Sequence, residues 1–329
     1  MISVNKEQTK KIGEIVKTLE FRPSFYERDF IQIDSPLKMA MHFYAVGICH
    51  QTYVLANPKL NLFGWDFMEY GFLDMLINAP NLLIASELVK LSNQELIEKI
   101  KPFFAEDHLP EKCTLDTLEE RAHLWLNMAQ GLVMHFDGKI ENLFLQSDWQ
   151  KTQNAESLYK LLRVFEAYSD PLQKKSGVFL KLIADANLVN LDQLTHVIPI
   201  MDYHMQRVLL RTGCVEVNDK SLKEKLQNRK PISNDEPLRK ACIEAMDIIA
   251  KTAHYHPFKM NDVFYTLGRS CCNEATLCRT HSCEKSPCTL TRAVYLETHE
   301  SCIFQEICKG ATDDDYHQYW QPQIQTHFY

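Results

Sequence analysis

The sequence has little of what builds sheets, membrane spans or secretory signals. Only 10 of its 329 residues are glycine, and Val, Ile and Thr rarely alternate with polar residues over the length of a strand, which disfavours a sheet-rich fold. A membrane span needs about 20 mainly apolar residues, whereas the longest uncharged run, residues 39–58, contains His42, His50 and Pro58. Charged residues also interrupt residues 1–20, which is not typical of a signal peptide. We therefore expect a soluble, cytoplasmic protein with no membrane partner.

Positive charge is scarce as well. The formal net charge is −7, and nonspecific binding to duplex nucleic acid depends on several Lys and Arg contacts with phosphates. One basic cluster stands out, but Asp219 and Glu224 dilute it, so we interpret it as the solvated face of a helix. Its basic members are Lys220, Lys223, Lys225, Arg229 and Lys230.

Apolar residues recur at helical spacing along most of the chain. About ten segments show this period and none is a convincing strand, which predicts an all-α fold. Residues 36–55 are apolar on nearly all sides, which indicates a helix at the centre of the core. Two sequences have the spacing of capping boxes and predict that helices begin there: Ser92 with Glu95, and Thr117 with Glu120.

Residues 174–186 show an amphipathic helical pattern. The pattern places Val178, Leu182 and Ala186 inward, and it places three lysines outward: Lys174, Lys175 and Lys181. Two interpretations of Lys175, or of its neighbour Lys174, stay open. A lysine on an exposed helix face is merely solvated, and the pattern favours this interpretation. A desolvated lysine beside a carboxylate could instead act as a nucleophile.

Asp202 lies between an apolar stretch and a new helical pattern that begins with Tyr203 and His204. One interpretation makes Asp202 a helix N-cap, whose carboxylate accepts N–H groups of the first turn. The other makes it a carboxylate that the helix dipole keeps ionised and that faces a pocket.

A short aromatic stretch admits two interpretations as well. Phe63 and Trp65 flank Gly64, and Phe67 follows. These rings could simply pack in the core. Alternatively they could form a wall that stacks on a flat heterocycle, with Gly64 allowing the backbone to approach closely.

The use of cysteine changes abruptly near residue 270. Four cysteines are spread over residues 1–270, and seven lie in the 38 residues from Cys271 to Cys308. In an intracellular protein this density indicates metal or cluster ligation rather than disulfides. We therefore divide the chain into a helical domain at 1–270, a Cys-rich metal or iron–sulfur segment at 271–310, and a tail at 311–329 that packs back on the core.

Several segments resemble the queuosine-salvage N-glycosidases, which are structural relatives of the helix-hairpin-helix DNA glycosylases. Residues 60–65, LNLFGW, are similar to that family's LNFxFW segment, in which aromatic residues surround a deazapurine. Residues 118–139 resemble its EERxxxLNExGxxLxxxFxG helix, and residues 182–185 resemble its LVADTW segment. Residues 201–209, MDYHMQRVL, resemble its ADYRxPQxL segment, and the last residues, THFY, resemble its aromatic ending.

The departures from this family limit what the resemblance implies. Asn187 stands where the family has tryptophan, His204 replaces an arginine, Gln206 replaces a proline, and the Cys-rich segment has the character of an insertion. Residues 170–175, DPLQKK, together with the Asp202 segment, also resemble the archaeal 8-oxoguanine glycosylases, which pair a catalytic lysine with an aspartate. The resemblance therefore implies a helix-hairpin-helix DNA glycosylase-like fold and N-glycosidase activity, without specifying the base.

The spacing of the cysteines is similar in part to that of the DNA glycosylases. Cys271-x6-Cys278 and Cys302-x5-Cys308 each match one interval of the four-cysteine [4Fe–4S] loop found in many of them, although no C-x2-C pair occurs. We therefore expect a [4Fe–4S] cluster first. Zinc, with His281 as one substitute ligand, is the alternative, and free or disulfide-bonded thiols are a third. The candidate ligands are Cys271, Cys278, Cys288, Cys302 and Cys308.

The resemblance implies roles for the other residues. Cleavage of an N-glycosidic bond passes through an oxocarbenium-like sugar, which a carboxylate can stabilise or attack. We assign this role to Asp202, and base recognition or support of the site to Asp185. His204 would hold a ribose hydroxyl or a 5′-phosphate. The candidate substrate-binding residues are Asn61, Phe63, Trp65, Tyr203 and His204.

Three functions fit these residues. The first is a hydrolase that releases queuine or a related modified purine from a nucleoside or its 5′-monophosphate. The second is a DNA glycosylase/lyase for 8-oxoguanine that uses Lys175 with Asp202, and its partner would be DNA. The third is a noncatalytic helical module that carries a metal.

Overall fold

The computed structural model describes residues 1–146, 149 and 154–329, and these residues are mostly helical. The strands in this part of the chain are two or three residues long and form two-stranded sheets, so the expected all-α class is confirmed. None of the described helices is long and apolar enough to cross a bilayer. The chain forms two compact units, the first from residues 1–26 and 198–325 and the second from residues 27–197 and 326–329.

The first unit contains two antiparallel strand pairs, Ile2–Val4 with Val215–Val217 and Glu20–Phe21 with Val294–Tyr295, and a 3-10 helix at Pro23–Phe25. Its described α-helices are Lys6–Lys17, Tyr203–Thr212, Lys220–Gln227, Glu236–Ala253, Pro257–Arg269, Leu277–Thr280, Thr289–Ala293, Lys309–Thr312 and Asp314–His317.

Close helix packing organises the first unit. Lys6–Lys17 packs against Glu236–Ala253, and Gly13 permits the close approach because a Cβ at this position would lie 2.7 Å from the Cβ of Thr252. Tyr203–Thr212 packs against Pro257–Arg269 in the same unit. The basic helix Lys220–Gln227 buries only Leu226, and its Lys220 and Lys225 are exposed.

The second unit contains the strand pair Ala56–Asn57 with Leu62–Phe63. Its described α-helices are Asp29–Gln32, Lys38–Gly47, Trp65–Asn78, Ala85–Leu88, Asn93–Ile100, Leu118–His135, Glu141–Gln146, Ala155–Leu162 and Lys174–Asp185. Its described 3-10 helices are Pro58–Leu60, Pro80–Leu83, Lys101–Phe104, Glu106–His108, Pro110–Lys112, Glu166–Tyr168 and Leu191–Gln193.

Lys38–Gly47 is the buried helix that the apolar run predicts, but it ends at Gly47 rather than near residue 55. Every residue from Ala40 to Gly47 is buried. Lys174–Asp185 and Leu118–His135 pack against it. Its last carbonyl groups would be unsatisfied in a dry core, and Arg121 donates hydrogen bonds to the carbonyls of Ile48 and His50 just beyond the helix end.

The two predicted capping boxes have different outcomes. At Ser92 both reciprocal hydrogen bonds with Glu95 are present, so this prediction is confirmed. The prediction at Thr117 is wrong: a helix begins there, but Thr117 has φ 46° and its side chain makes no capping hydrogen bond. An N-cap needs an extended backbone to turn its hydroxyl toward the first turn, and the left-handed conformation of Thr117 removes that geometry.

The compact units cut the chain at different places from the sequence-based division. The Cys-rich segment folds within the first unit, together with the helices that precede it. Residues 311–325 belong to that unit too, whereas residues 326–329 belong to the second. The boundaries at residues 270 and 310 follow composition rather than contacts, and they stay a prediction.

Candidate metal centre

Four potential metal ligands meet in the Cys-rich segment: Cys271, Cys283, Cys288 and His299, which we call the Cys271 group. All four donor atoms lie within 4.8 Å of one another. The Cys271 Sγ lies 3.4 Å from the Cys288 Sγ and 3.7 Å from the His299 Nε2. Two thiolates bound tetrahedrally to one zinc ion, with bonds of about 2.3 Å, lie about 3.8 Å apart. The donors therefore have nearly the spacing that a single ion requires.

Helix ends position the two buried thiols of this group. Cys271 lies two residues beyond the Pro257–Arg269 helix, and Cys288 directly precedes the Thr289–Ala293 helix. These two helices pack against each other, which brings the two cysteines together. Cys283 and His299 come from irregular segments and are half-buried.

A small hydroxyl network surrounds the two sulfurs. The Ser270 Oγ lies 3.2 Å from the Cys288 Sγ and donates to the Thr266 carbonyl at 2.9 Å. The Thr289 hydroxyl donates to the Ser270 Oγ at 2.9 Å. Hydrogen bonds of this kind around ligand atoms fix their orientation toward a metal.

A hydrogen bond between the Cys271 and Cys288 thiols separates their pKa values. The hydrogen bond from Cys271, together with contacts from Ser270 and Thr291, lowers the pKa of Cys288 to about 4. The same bond and burial raise the pKa of Cys271 well above its ordinary range. Burial also raises the pKa of Cys283. Metals bind the thiolate form and displace such protons, so the Cys271 group could hold a metal ion.

The sequence-predicted ligands divide between this group and the rest of the segment. Cys271 and Cys288 belong to the Cys271 group, whereas Cys278, Cys302 and Cys308 do not. Cys283 and His299 were not among the predicted ligands, and His281 is not a member. The density of cysteine was the signal for Cys283, but no spacing motif distinguishes His299 from His281. Every one of the eleven cysteines is a free thiol, so the disulfide alternative is not supported.

Asp202 lies where the capping interpretation places it. Its carboxylate is buried, with 6% of the residue exposed, and accepts the N–H of Met205 at 3.0 Å at the start of the Tyr203–Thr212 helix. The rings of Tyr203 and His204 have centroids 4.3 Å apart. Gly268 lies against His204, because a Cβ at Gly268 would come within 2.8 Å of the His204 carbonyl oxygen. All of these residues belong to the first unit.

The aromatic stretch lies in the second unit and is only partly buried. Asn61 has φ 54° and is exposed, and Phe63 is 41% exposed at the end of its short strand. The Trp65 ring packs edge-on against Phe30 with centroids 5.8 Å apart, and its Nε1 donates to Glu69 at 2.6 Å. The half-buried Trp65 thus has packing and hydrogen-bond partners within the unit, whereas Phe63 is the more exposed of the two rings.

The outward orientation predicted for the lysines of the Lys174–Asp185 helix is wrong. Lys175 is 0% exposed, Lys174 is 8% and Lys181 is 5%, whereas the supposedly inward Val178 is half-buried. The pattern failed because this helix packs into the unit on almost all sides, so its lysines are buried against polar partners rather than solvated.

Each of these lysines has a polar contact inside the second unit. The Lys175 Nζ donates to the carbonyl of Gly47, and Lys174 contacts the Cys49 sulfur at 3.6 Å. Burial lowers the pKa of Lys175 to about 7, and the charges of Lys174 and Arg121 contribute to the shift. Lys181 pairs with Asp185, and both side chains are buried, at 7% and 6% exposed.

Comparison of the chain with protein-family models and with curated proteins gives no match. The predicted site residues fall in both units: Asp202, Tyr203 and His204 in the first, and Asn61, Phe63, Trp65, Lys175 and Asp185 in the second. A common site formed by these residues stays a prediction.

Proposed function

We propose that this chain is an N-glycosidase on a helix-hairpin-helix DNA glycosylase-like fold, and that it hydrolyses a modified purine or deazapurine nucleoside or its 5′-monophosphate. The observation that supports this proposal most is Asp202, a buried carboxylate at a helix N-terminus. It lies in the segment whose sequence resembles the queuosine-salvage enzymes.

The proposed chemistry requires a stabilised cation and a stabilised leaving group. Asp202 stabilises the oxocarbenium-like sugar or orients the attacking water. A 7-deazapurine lacks the basic N7, so hydrogen bonds elsewhere on the ring must help it to depart. Asp185 is proposed to support the base. Phe63, Trp65 and Tyr203 are proposed to stack on it, beside Asn61, and His204 to hold the ribose or the 5′-phosphate.

A pair of cap substitutions tests this proposal. Asn is as good an N-cap as Asp, so Asp202→Asn preserves the helix start and removes only the charge. Asp219→Asn is the matched control, because Asp219 caps the Lys220–Gln227 helix in the same way. Purified full-length protein is screened for base release from modified nucleosides and their 5′-monophosphates, including queuosine 5′-monophosphate.

The expected result is base release by the wild type and Asp219→Asn, with a loss of about 100-fold or more in Asp202→Asn. Full activity of Asp202→Asn would contradict the role of Asp202. Failure of the wild type to release any base would favour the noncatalytic alternative, in which only cysteine substitutions affect function.

A DNA glycosylase/lyase is the second candidate, and the burial of Lys175 favours it. An amine with a pKa of about 7 is half neutral at neutral pH, and the neutral amine is the nucleophile that forms a Schiff base. Borohydride is added to the protein with DNA that contains 8-oxoguanine. A trapped covalent adduct that Lys175→Met abolishes and exposed Lys160→Met retains would establish the lyase, and absence of an adduct in the wild type would exclude it.

We also infer that the Cys271 group holds one zinc ion. Three sulfurs and an imidazole nitrogen form a complete tetrahedral set, and such closed sites are structural. A [4Fe–4S] cluster needs donors farther apart, because each thiolate binds a different iron at a corner of the cage. Metal analysis should show that Cys283→Ser loses about one zinc ion relative to the wild type and that Cys113→Ser, outside the segment, loses none. A zinc content of Cys283→Ser equal to that of the wild type would contradict this assignment.

A further inference from the structure

Four cysteines of the Cys-rich segment lie outside the Cys271 group: Cys272, Cys278, Cys302 and Cys308, which we call the Cys272 group. All four are half-buried. They are interleaved in pairs with the ligands of the Cys271 group: Cys272 and Cys278 follow Cys271, and Cys302 and Cys308 follow His299.

The four thiols of the Cys272 group lie close enough to one another to interact electrostatically. Burial raises the pKa of Cys302 well above its ordinary value, and three other thiols raise it further through their charges: those of Cys272, Cys278 and Cys308. Burial likewise raises the pKa of Cys308 to about 12, with contributions from Cys272 and Cys278. Five of the six possible pairs within the group are thus close enough to interact.

The thiols of the Cys271 group interact chiefly with one another. The main contributions of other thiols to the pKa of Cys271 come from Cys288 and Cys283, both from its own group. Cys271 is buried beside Ser270, whereas the Cys272 sulfur contacts Arg211. The seven cysteines therefore divide into sets of three and four, and His299 completes the first set.

Arg211 joins two members of the Cys272 group. Its Nη1 lies 3.6 Å from the Cys272 Sγ, and the Cys308 Sγ donates to its carbonyl oxygen at 3.5 Å. The guanidinium is held by the carbonyls of Tyr319 and Asn273, both at 2.9 Å. Arg211 therefore places its guanidinium beside the Cys272 sulfur and its carbonyl beside the Cys308 sulfur.

Other hydrogen bonds bring Cys278 and Cys302 to the same place. Cys278 lies in the Leu277–Thr280 helix, and the neighbouring Arg279 donates to the Gly310 carbonyl at 3.2 Å, two residues beyond Cys308. Cys302 and Cys308 border one turn, in which the Cys308 N–H donates to the Phe304 carbonyl at 2.8 Å.

Backbone N–H groups also point at two of these sulfurs. The N–H of Phe304 contacts Cys302, and the N–H groups of Gly310 and Ala311 contact Cys308, which precedes the Lys309–Thr312 helix. Such N–H donors stabilise negative sulfur and are part of the environment that tunes metal-bound thiolates. Buried cysteine can also be a small apolar residue, but a purely apolar role explains neither Arg211 nor these donors.

We propose that Cys272, Cys278, Cys302 and Cys308 bind a second metal centre through four thiolates, so that the Cys-rich segment is a two-centre module. Each thiol loses its proton to solvent as its sulfur–metal bond forms. The occupant is a thiophilic centre, either zinc or an iron–sulfur cluster. This inference is independent of the proposed N-glycosidase activity.

The spacing of the Cys272 group bears on which of these occupants binds. Among the described residues, only the Cys271 group has its donors within 4.8 Å of one another. The thiols of the Cys272 group are therefore more widely spaced, and a cluster in which each thiolate binds its own iron suits that spacing better than a single ion does.

Metal analysis of anaerobically purified full-length variants tests the proposal. We expect two centres in the wild type, either about two zinc ions or about one zinc with about four iron and four sulfide ions. Visible absorbance distinguishes these two outcomes, because an iron–sulfur cluster absorbs visible light and zinc does not. Cys272→Ser and Cys302→Ser should each lose the second centre only, Cys283→Ser the first only, and Cys113→Ser neither. Wild-type metal content in both Cys272→Ser and Cys302→Ser would overturn the proposal.

A measurement on the wild type avoids variants that fail to fold. The native protein is alkylated with iodoacetamide before and after chelation, and each cysteine is quantified by mass spectrometry. The four thiols of the Cys272 group should be protected together and become reactive together when metal is removed. Equal rates of alkylation at these four cysteines before and after chelation would overturn the proposal, whatever the variants show.

Discussion

The second unit and the Cys-rich segment both bury groups that prefer water, but they stabilise these groups differently. The second unit is built on helices such as Leu118–His135, of 18 residues, and Lys174–Asp185, of 12. The helices inside the Cys-rich segment, Leu277–Thr280 and Thr289–Ala293, have four and five residues. Long helices bury enough apolar surface to keep the unit folded with a cation in its core. Short helices separated by loops bury less, so such a segment needs cross-links such as metal ions to stay folded.

The buried cations of the second unit illustrate the first solution. Lys175 donates to the carbonyl of Gly47, the last residue of Lys38–Gly47, and Arg121 donates to the carbonyls of Ile48 and His50. A helix C-terminus carries partial negative charge and unpaired carbonyls, so cations are stabilised there. Within this unit the chain supplies its own partners. In the Cys-rich segment the convergent groups are thiols, and the partner we infer is a metal.

Metal removal should therefore have the largest effect on stability, and it should affect the Cys-rich segment but not the second unit. A structural zinc site contributes on the order of 10 kcal/mol of apparent binding free energy, more than short helices can replace. We expect chelation to abolish hydrogen-exchange protection over residues 271–308 and to expose that segment to proteases. Exchange in the Leu118–His135 and Lys174–Asp185 helices is the internal control and should be unchanged. Unaltered protection of residues 271–308 after verified metal loss would break the comparison.

The ionisation of Lys175 should have the next largest effect. Its pKa is lowered to about 7 in the folded protein, against about 10.4 in an unfolded chain. Between these values the unfolded state binds a proton that the folded state does not, so the free energy of unfolding should rise with pH. The destabilisation is fully present below about pH 7, and its relief amounts to roughly 3 to 5 kcal/mol by pH 10.

Denaturant titrations from pH 6 to pH 10 measure this linkage. The wild type is compared with Lys175→Met, which removes the titrating group while keeping most of the apolar length of the side chain. Lys160→Met is the control, because Lys160 is exposed and pairs with Glu156 on the surface. The free energy of unfolding of the wild type minus that of Lys175→Met should rise with pH, whereas a constant difference would show that Lys175 titrates normally.

The same two regions show which structural features can be predicted from the sequence. Helical period and composition predict the helical class, the buried Lys38–Gly47 helix, and caps such as Ser92 and Asp202, because these features depend on neighbouring residues. Period alone failed for Lys175, since the polarity of a side chain does not reveal that an unrelated helix ends beside it.

The grouping of the metal ligands could not be predicted from the sequence, for a different reason. Cysteine density locates the segment, but the division into two groups depends on which loops converge. Adjacent cysteines, Cys271 and Cys272, fall into different groups, and no spacing rule separates them. His299 lies far from any Cys-x-x-His motif, so only the folded chain shows that its ring reaches Cys271.

The ion pair of Lys181 and Asp185 tests the second unit again, with a smaller effect. Both side chains are buried, and removing one partner of a buried pair typically costs about 3 to 5 kcal/mol because the remaining charge loses its counter-ion. We expect Asp185→Ala to lower the free energy of unfolding by about 3 kcal/mol. The double variant Lys181→Met/Asp185→Leu should recover most of that loss. Equal stability of the single and double variants would indicate that Asp185 acts through other contacts.

The smallest effects on stability are expected at Ser92 and Thr117, the two helix starts for which the sequence predicts the same capping box. The Ser92 hydroxyl accepts the N–H of Glu95 at 3.2 Å, so Ser92→Ala should cost about 1 kcal/mol in denaturant titrations. Thr117 is exposed and caps nothing, so Thr117→Ala should change stability by less than about 0.5 kcal/mol. Thr117→Gly should be neutral or stabilising, because glycine adopts the observed φ of 46° without the strain of a β-branched side chain. A cost at Thr117 equal to that at Ser92 would mean that the local sequence, rather than the observed backbone, determines the capping energy.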